Sequence, residues 1–163
     1  MSLNEKQKEF FEMAMEGKNL FITGSAGVGK SYLTNEIVKE FEKNRKRVVV
    51  CATTGIAART IGGYTLHHQF HIDITKDEIT DSKKNDWIKT TDLIVIDEIS
   101  MLSFHLFNKV GKEIKTHNPK CQLIVIGDFF QLPPVINDKT LDFIHRRGYS
   151  NVQKDKCHCF HSK

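Results

Sequence analysis

The sequence predicts an α/β protein in which helices cover both faces of a parallel sheet. Short apolar runs of strand length alternate along the chain with longer segments whose apolar residues recur at helical spacing. The short runs are continuously apolar, as in residues 93–96, which is typical of parallel strands that are buried on both faces. The chain has 163 residues, the length of one domain, so we expect residues 1–163 to form a single domain.

The first half of the chain reads as helix, strand, helix, strand and helix. Apolar spacing, an asparagine at the start and a glycine after the end predict the first helix at residues 4–16. Short apolar runs predict strands at residues 19–23 and 47–51. Amphipathic spacing predicts a helix at residues 30–44, and residues 55–61 fit a short helix that is closed by glycines.

The second half continues the alternation after a polar interval. Residues 70–91 lack a clear period, and we expect them to form a surface segment that holds a short helix. Apolar runs predict strands at residues 93–96 and 123–126, with a helix at residues 102–115 between them. From residue 136 onward there are charge runs without a period, so no element is predicted there.

Composition is that of an ordinary globular protein inside the cell. Hydrophobic residues make up 39% of the chain and charged residues 27%, and the net charge of +4 supports a polyanionic partner only weakly. No apolar run approaches the ~18 residues of a membrane span, so we expect no membrane contact. Cys51 and Cys121 adjoin apolar runs, which favours reduced, buried thiols in a cytoplasmic or nuclear protein. The abundance of Lys, Asn and Ile favours the AT-rich genome of a virus or a low-GC bacterium.

A glycine-rich loop joins the first predicted strand to the next helix and fits the pattern G-x-x-x-x-G-K-[ST] in full. Glycines let successive backbone N–H groups point at phosphate oxygens, and the helix N-terminus behind them favours anions. Lys30 can reach the β- and γ-phosphates of a nucleotide, and the Ser31 hydroxyl can ligate Mg²⁺. The strand before the loop and the helix after it favour a P-loop NTPase over a chance turn. The predicted nucleotide-binding residues of the loop are Gly24, Ser25, Ala26, Gly27, Val28, Gly29, Lys30 and Ser31.

Two adjacent carboxylates, Asp97 and Glu98, follow the strand predicted at residues 93–96. Carboxylates at the end of a buried strand destabilise the fold unless they bind cations or contact water. Because parallel strands end at the same edge of a sheet, we expect this pair to face the phosphate loop. Asp97 would then hold Mg²⁺, and Glu98 would orient and deprotonate an attacking water, as in a hydrolase. The alternative is a solvated acidic turn, which the loop upstream disfavours.

The last predicted strand runs into residues 127–135, which contain Gln131 and two prolines. A polar Gln131 just beyond a buried strand could touch the γ-phosphate or the attacking water, and would then distinguish ATP from ADP. A plain strand-to-loop turn with buried phenylalanines explains the same residues equally well. The chemistry of these residues leaves both interpretations open.

Taken together, these segments resemble the RecD-like, superfamily 1B DNA helicases, and most closely the petite-integration-frequency group. The resemblance covers residues 3–135 and, more weakly, residues 159–163. The motifs that carry it, in the family's order, are residues 24–31, residues 54–58 with 62–67, residues 97–101 and residues 127–134.

The resemblance implies a RecA-like fold, ATP and Mg²⁺ as cofactors, and ATP hydrolysis coupled to 5′-to-3′ movement along single-stranded DNA. It implies that Gln7 recognises adenine, although the residue by itself would be interpreted as an exposed helix position. Gln131 matches the γ-phosphate sensor, so the implied catalytic residues are Lys30, Glu98 and Gln131.

The resemblance also implies a DNA-contacting surface, formed by Thr54, Gly55, Thr65 and His67. Hydroxyls, backbone N–H groups and imidazole all bind phosphate without reading base sequence. For His67, a structural histidine remains the alternative. Residues 68–70 depart from the family, which usually has a small residue followed by aromatics, and this leaves base stacking open.

Family helicases carry a second RecA-like domain with an arginine finger, and nothing after Val135 resembles it. We therefore expect a monomeric N-terminal motor domain with little hydrolysis by itself, whose partners are single-stranded DNA and the second RecA-like domain. One alternative is a truncated module that binds nucleotide and DNA without turnover. Another is a P-loop ATPase that moves protein, and the DNA-contacting segments argue against it.

Cysteine and histidine cluster near the C-terminus. Such residues can bind zinc, but a C-x-C spacing is unusual and places both cysteines on the same face of a strand. We expect ordinary strand residues, with a structural zinc site as the alternative, at Cys157, His158, Cys159 and His161.

Overall fold

A five-stranded sheet forms the centre of the computed structural model, which describes residues 3–25 and 27–128. Its strands are β1 (Leu20–Thr23), β2 (Val48–Ala52), β3 (Tyr64–Thr65), β6 (Leu93–Asp97) and β7 (Gln122–Gly127). The strand order is β1-β7-β6-β2-β3, and all four pairings are parallel. The carboxyl ends of all five strands therefore lie along one edge, with β7 and β6 between β1 and β2.

Helices and one hairpin complete the described part of the chain. The helices are α1 (Glu5–Met15), α2 (Lys30–Lys43), α3 (Gly55–Thr60), α4 (Leu66–Gln69) and α5 (Phe104–His117), with 3-10 helices at Ser82–Thr90 and Ile99–Met101. The strands β4 (Ile72–Asp73) and β5 (Glu78–Ile79) pair antiparallel in a separate two-stranded sheet.

The strand β6 requires cover on both of its faces. Leu93 and Val95 pack in one cluster with residues of α1 and α2, whereas Ile94 and Ile96 pack in a second cluster with residues of α5. All four side chains are fully buried, and successive side chains of a strand point to opposite faces. The prediction of a parallel sheet with helices on both faces is therefore confirmed.

The ends of α1 follow from its sequence. The Asn4 side chain accepts a hydrogen bond from the Gln7 backbone N (2.9 Å), and the Asn4 backbone N donates to Gln7 Oε1 (3.0 Å), which forms a capping box. After the helix, Gly17 adopts a left-handed φ of 80° and its N–H donates to the Ala14 carbonyl (3.0 Å). Both sequence signals for this helix are confirmed.

Most predicted elements lie within two residues of their observed bounds. Several short elements have no counterpart in the prediction from sequence, among them β3, α4, and the hairpin strands β4 and β5. A strand of two residues and a helix of four are too short to show a hydrophobic period.

The prediction that residues 70–91 form a surface segment is wrong in part. Phe70 and Ile88 are completely buried, and Ile72 is only 7% exposed. The Phe70 ring packs edge-on against the ring of Trp87, with centroids 5.3 Å apart. This segment covers the core with a hairpin and a 3-10 helix, so its buried residues follow neither the strand nor the α-helix period.

Cys51 and Cys121 are buried free thiols, as predicted. Burial raises the pKa of Cys51 to about 12, and burial followed by the charge of Asp92 raises the pKa of Cys121 to about 11. Within residues 3–25 and 27–128, no helix is long and apolar enough to cross a membrane.

Candidate functional site

The loop between β1 and α2 requires glycine at two positions. Gly27 and Gly29 have φ angles of 82° and 87°, in the left-handed region that favours glycine. Gly29 directly precedes α2, and a Cβ there would come within 2.5 Å of Gln7 Nε2. The loop therefore has the strand–turn–helix setting that its sequence pattern requires, although Ala26 lies outside the described residues.

Lys30, the first residue of α2, turns its side chain back over this loop. Its Nζ donates hydrogen bonds to the carbonyl oxygens of Gly24 (2.6 Å) and Ser25 (2.9 Å). An ammonium group has three donors, so it can exchange these carbonyls for phosphate oxygens. Ser31 follows in the first turn of α2 and is exposed, which leaves its hydroxyl accessible to a ligand.

Three carboxylates lie at the ends of β6 and β7. Burial raises the pKa of Asp97, and the Lys30 ammonium partly opposes this shift. Burial also raises the pKa of Glu98, the charge of Asp97 raises it further, and Asp128 adds to the effect while Lys30 again opposes it. Because β1, β7 and β6 are parallel neighbours, the phosphate loop and the acidic pair lie at the same edge of the sheet, with buried Asp128 directly after the intervening strand β7.

Glu98 has a left-handed backbone, with φ 59° and ψ 38°. This conformation costs a residue with a Cβ roughly 1–2 kcal/mol. Hydrogen bonds hold it in place: the Glu98 carbonyl accepts from Thr53 Oγ1 (2.7 Å) and from the Met101 backbone N (3.2 Å), and Glu98 N donates to Asp97 Oδ1 (2.8 Å). Thr53 was not among the predicted site residues, and its only signal in the sequence is its position directly after β2.

The oxygen donors near the loop fit a magnesium ion. Mg²⁺ prefers hard oxygen ligands and usually keeps several waters, binding one or two carboxylates together with substrate phosphates. The Asp97 carboxylate, whose pKa burial raises, would gain from a nearby cation. Among the residues that the structure describes, no group of three or more His, Cys, Asp and Glu side chains could hold a metal ion.

An open cleft of about 620 Å³ lies between α1 and the phosphate loop. Gln7, which lines this cleft from α1, is half-buried, and its Nε2 lies 3.3 Å from each of the carbonyl oxygens of Val28 and Gly29. Gln7 is therefore bonded to the loop and is not simply an exposed helix residue. The cleft is lined by Asn4, Glu5, Lys6, Gln7, Phe10, Ile22, Thr23, Gly24, Val28, Gly29, Lys30 and Leu33.

The residues predicted to contact DNA lie at the same sheet edge, beyond β6. Thr65 pairs with Ala52 of β2, and Ala52 pairs with Asp97 of β6, so Thr65 is two strand spacings, about 10 Å, from the acidic pair. Thr54 and Thr65 are the N-caps of α3 and α4, where each hydroxyl oxygen accepts a backbone N–H at 3.2 Å. Each hydroxyl keeps its own proton to donate, and Gly55 beside Thr54 is exposed.

The structure places the aromatic side chains of residues 64–70, which include the departure from the family at residues 68–70. Phe70 is fully buried in the core, so it cannot stack on a base. Instead, exposed His68 stacks on the ring of Tyr64, with centroids 5.2 Å apart and planes 20° from parallel, and Tyr64 is 61% exposed. His67, between them in sequence, is half-buried, and its imidazole forms no hydrogen bond within residues 3–25 and 27–128.

Several predictions fall outside the described residues. Gln131, the predicted γ-phosphate sensor, is one of them. The others are the cluster Cys157, His158, Cys159 and His161 and the tail from residue 136 onward.

Comparisons with known proteins agree with this arrangement. A family model described as PIF1-like helicase matches residues 2–152. The ATP-dependent DNA helicase Pif1 of Campylobacter jejuni is 40% identical over 145 residues, which are 81% of this chain and 32% of that protein. The chain therefore spans about a third of the length of this relative.

Solved structures give the same result. Pif1 helicase from Candida albicans superimposes with a TM-score of 0.74 at 37% identity, over 83% of this chain and 34% of that one. Pif1 helicase from Bacteroides in complex with ADP-AlF3 and ssDNA superimposes with a TM-score of 0.77 at 29% identity. The match covers 90% of this chain and 37% of that one. The predicted RecA-like fold is confirmed. The chain belongs to the PIF1-like helicase family.

Proposed function

We propose that this chain is the ATP-binding motor domain of an ATP-dependent 5′-to-3′ DNA helicase, which couples ATP hydrolysis to movement along single-stranded DNA. Membership of an ATP-dependent helicase family implies nucleotide binding. One observation carries the proposal further: the phosphate loop with Lys30, the pair Asp97 and Glu98, and the caps Thr54 and Thr65 all lie along one edge of one sheet. A nucleotide and a DNA strand would therefore bind side by side.

In this proposal the cleft beside α1 holds the nucleoside, and the phosphates lie in the loop. Gln7 faces the adenine, and the backbone N–H groups of residues 24–29 together with Lys30 hold the phosphates. Ser31 and Asp97 would hold Mg²⁺, which would supply positive charge to offset that of the phosphates. The electrostatic effect of Lys30 on Asp97 supports this placement.

Glu98 takes the role of the base that orients the attacking water. Burial and the neighbouring Asp97 raise the pKa of its carboxylate, which brings it closer to the working pH, where a general base is most effective. Gln131 completes the proposed catalytic set as the γ-phosphate sensor, on the strength of the sequence motif.

The DNA strand would run past the ends of β2 and β3. Thr54, Gly55, Thr65 and His67 offer hydroxyl, backbone N–H and imidazole donors, which suit phosphate oxygens rather than base edges. The similar Bacteroides protein was solved with ssDNA and a nucleotide analogue together, which supports two ligands on one surface. A P-loop ATPase that moves protein would need none of these donors.

The test is the binding of a fluorescent oligo-dT, measured by anisotropy at several salt concentrations. We expect weak binding that is independent of base sequence and falls as salt rises, because phosphate contacts release counterions. Thr54→Asp and Thr65→Asp keep an N-cap acceptor but place a negative charge against the DNA, and should abolish binding. Thr116→Asp adds the same charge at the exposed end of α5, near the amino ends of the strands, and should leave binding unchanged.

Binding that is strong, insensitive to salt or selective for sequence would contradict this proposal. So would equal affinities for wild type, Thr54→Asp and Thr65→Asp. No DNA binding by a folded protein that binds ATP would favour the protein-moving alternative.

A further inference from the structure

The end of β2 connects the two proposed ligand sites through a single residue. Thr53 lies between Ala52, which pairs with Asp97 across the sheet, and Thr54, the N-cap of α3. Its backbone N donates to the Asp97 carbonyl at 3.2 Å, which extends the β2–β6 pairing past the end of the strand. Its hydroxyl donates to the Glu98 carbonyl at 2.7 Å. Thr53 thus contacts the backbones of both acidic residues while it directly precedes a proposed DNA contact.

The backbone conformation of Glu98 depends on contacts such as the hydrogen bond from Thr53. A left-handed conformation is unfavourable for a residue with a Cβ and persists only where its surroundings hold it. Within residues 3–25 and 27–128, the Glu98 carbonyl has two donors, Thr53 Oγ1 and the Met101 backbone N, and Met101 belongs to the same short 3-10 turn. The Thr53 hydroxyl is therefore the contact that reaches Glu98 from the DNA side of the sheet edge.

We propose that Thr53 is a positioning residue that couples single-stranded DNA at Thr54 to the orientation of Asp97 and Glu98 at the nucleotide. This inference rests on the proposed function. A phosphate drawn to Thr54 shifts the backbone at the end of β2. Thr53 transmits the shift to both carbonyls of the acidic pair through its N–H and its hydroxyl. Each ligand then strengthens the binding of the other, and by thermodynamic linkage the factor is the same in both directions.

The test is a coupling measurement on the full 163-residue chain. The affinity for fluorescent oligo-dT is measured with and without saturating Mg²⁺ and AMP-PNP, and the affinity for AMP-PNP with and without oligo-dT. For the wild type we expect the second ligand to raise affinity at least about fivefold, the lower end of common allosteric coupling. In Thr53→Val the factor should fall below about twofold, with each single-ligand affinity within about twofold of wild type.

Three variants separate positioning from plain stability. Thr53→Ser keeps the hydroxyl and should retain the coupling factor. Thr53→Ala removes the hydroxyl by a different substitution and should match Thr53→Val, which covers the case in which valine does not fold. Thr60→Val removes a hydroxyl on α3 that bonds only within its own helix, to the Ile56 carbonyl, and should leave coupling unchanged.

The outcomes are distinct. Coupling that survives in a folded Thr53→Val or Thr53→Ala protein overturns the inference, as does a wild type that binds both ligands independently. Either result leaves the proposed function standing. A folded wild type that fails to bind AMP-PNP or oligo-dT at all overturns the proposed function itself.

Discussion

The side-chain amide of Gln7 lies 3.3 Å from the carbonyl oxygen of Gly29, so α1 is bonded directly to the phosphate loop. The contact is close enough that any side chain at Gly29 would collide with it. Gln7 is also half of the capping box with Asn4. One residue thus caps the start of the helix, lines the cleft and supports the loop, and these structural roles are distinct from its proposed contact with adenine.

Gln7→Glu tests these roles separately. Glutamate can still accept from the Asn4 backbone N, but it cannot donate to the carbonyls of Val28 and Gly29. We expect a loss of about 1 kcal/mol in stability per broken hydrogen bond and loss of the preference for ATP over GTP, measured by thermal melting and calorimetry. Glu9→Gln, on the exposed surface of the same helix, is the charge control. An unchanged ratio of ATP to GTP affinity would limit Gln7 to its structural role.

The acidic pair should make the folded protein less stable at neutral pH. The pKa of Asp97 is raised in the folded state, so the folded state binds more protons than the unfolded state between the ordinary value of 3.8 and the raised value. Stability therefore falls as pH rises through that window and stays lower above it. Asp97→Asn keeps the acceptor for Glu98 N and should raise Tm by roughly 2–4 °C at pH 7 without divalent cations.

This gain should shrink as the pH is lowered toward 3.8. Asp92→Asn is a control for which the change in Tm should have the opposite sign. A backbone hydrogen bond from Arg47 lowers the pKa of Asp92 below the ordinary value of 3.8, so its carboxylate stabilises the fold above pH 3.8. Thermal melts across pH distinguish the two. A lower Tm for Asp97→Asn at pH 7 would show that the ionised Asp97 carboxylate stabilises the fold.

The exposed stack of Tyr64 and His68 should hold a nucleobase of the bound strand. Stacking of a base on an aromatic ring is worth roughly 1–3 kcal/mol, so Tyr64→Ala should weaken oligo-dT binding by roughly five- to 150-fold. Tyr64→Phe keeps the ring and should bind like wild type. An oligonucleotide with abasic sites should bind Tyr64→Ala and wild type equally, and a large difference on that ligand would show that the ring does not contact bases.

The chain on its own should hydrolyse ATP slowly. An arginine finger contributes roughly 10³–10⁵ in rate, and Arg47 is held at the opposite edge of the sheet by Asp92 and Thr90, while Arg59 lies on α3. We expect turnover on the order of 10⁻³ s⁻¹ or less in a steady-state assay, with Glu98→Gln as the control for contaminating ATPases. Fast, DNA-stimulated turnover that Glu98→Gln abolishes would show that the chain completes its own site. A rate per molecule that rises with protein concentration would identify self-association as the cause.

The sequence predicted the parts of the site whose chemistry is local. The phosphate loop, Lys30 and the pair Asp97 and Glu98 follow strands that are apolar enough to identify, and each has a recognisable spacing. Thr53 could not be predicted in this way, because its role depends on the register that pairs Ala52 with Asp97, which is a non-local contact.

The backbone conformation of Glu98 and the order of the strands in the sheet could not be predicted from the sequence either. The left-handed backbone of Glu98 is invisible in a sequence where only glycine signals that region. The insertion of β7 between β1 and β6, which brings Asp128 beside Glu98, is set by packing of the whole sheet. The buried residues of the segment 70–91 lie at irregular spacing, so no periodic signal marked them as core.

Titration calorimetry with Mg²⁺ and ATP tests whether the loop between β1 and α2 is a nucleotide site. The wild-type chain should bind ATP with one site, and binding should require Mg²⁺ for full affinity. Lys30→Ala removes the ammonium that bonds to the Gly24 and Ser25 carbonyls and should weaken binding by roughly ten- to 150-fold, the worth of a charged hydrogen bond. Lys39→Ala removes an exposed ammonium that pairs with Glu36 farther along the same helix, and should bind like wild type. A folded wild-type chain that binds no ATP, or a Lys30→Ala variant that binds it as tightly as wild type, would contradict the assignment of this loop as a nucleotide site.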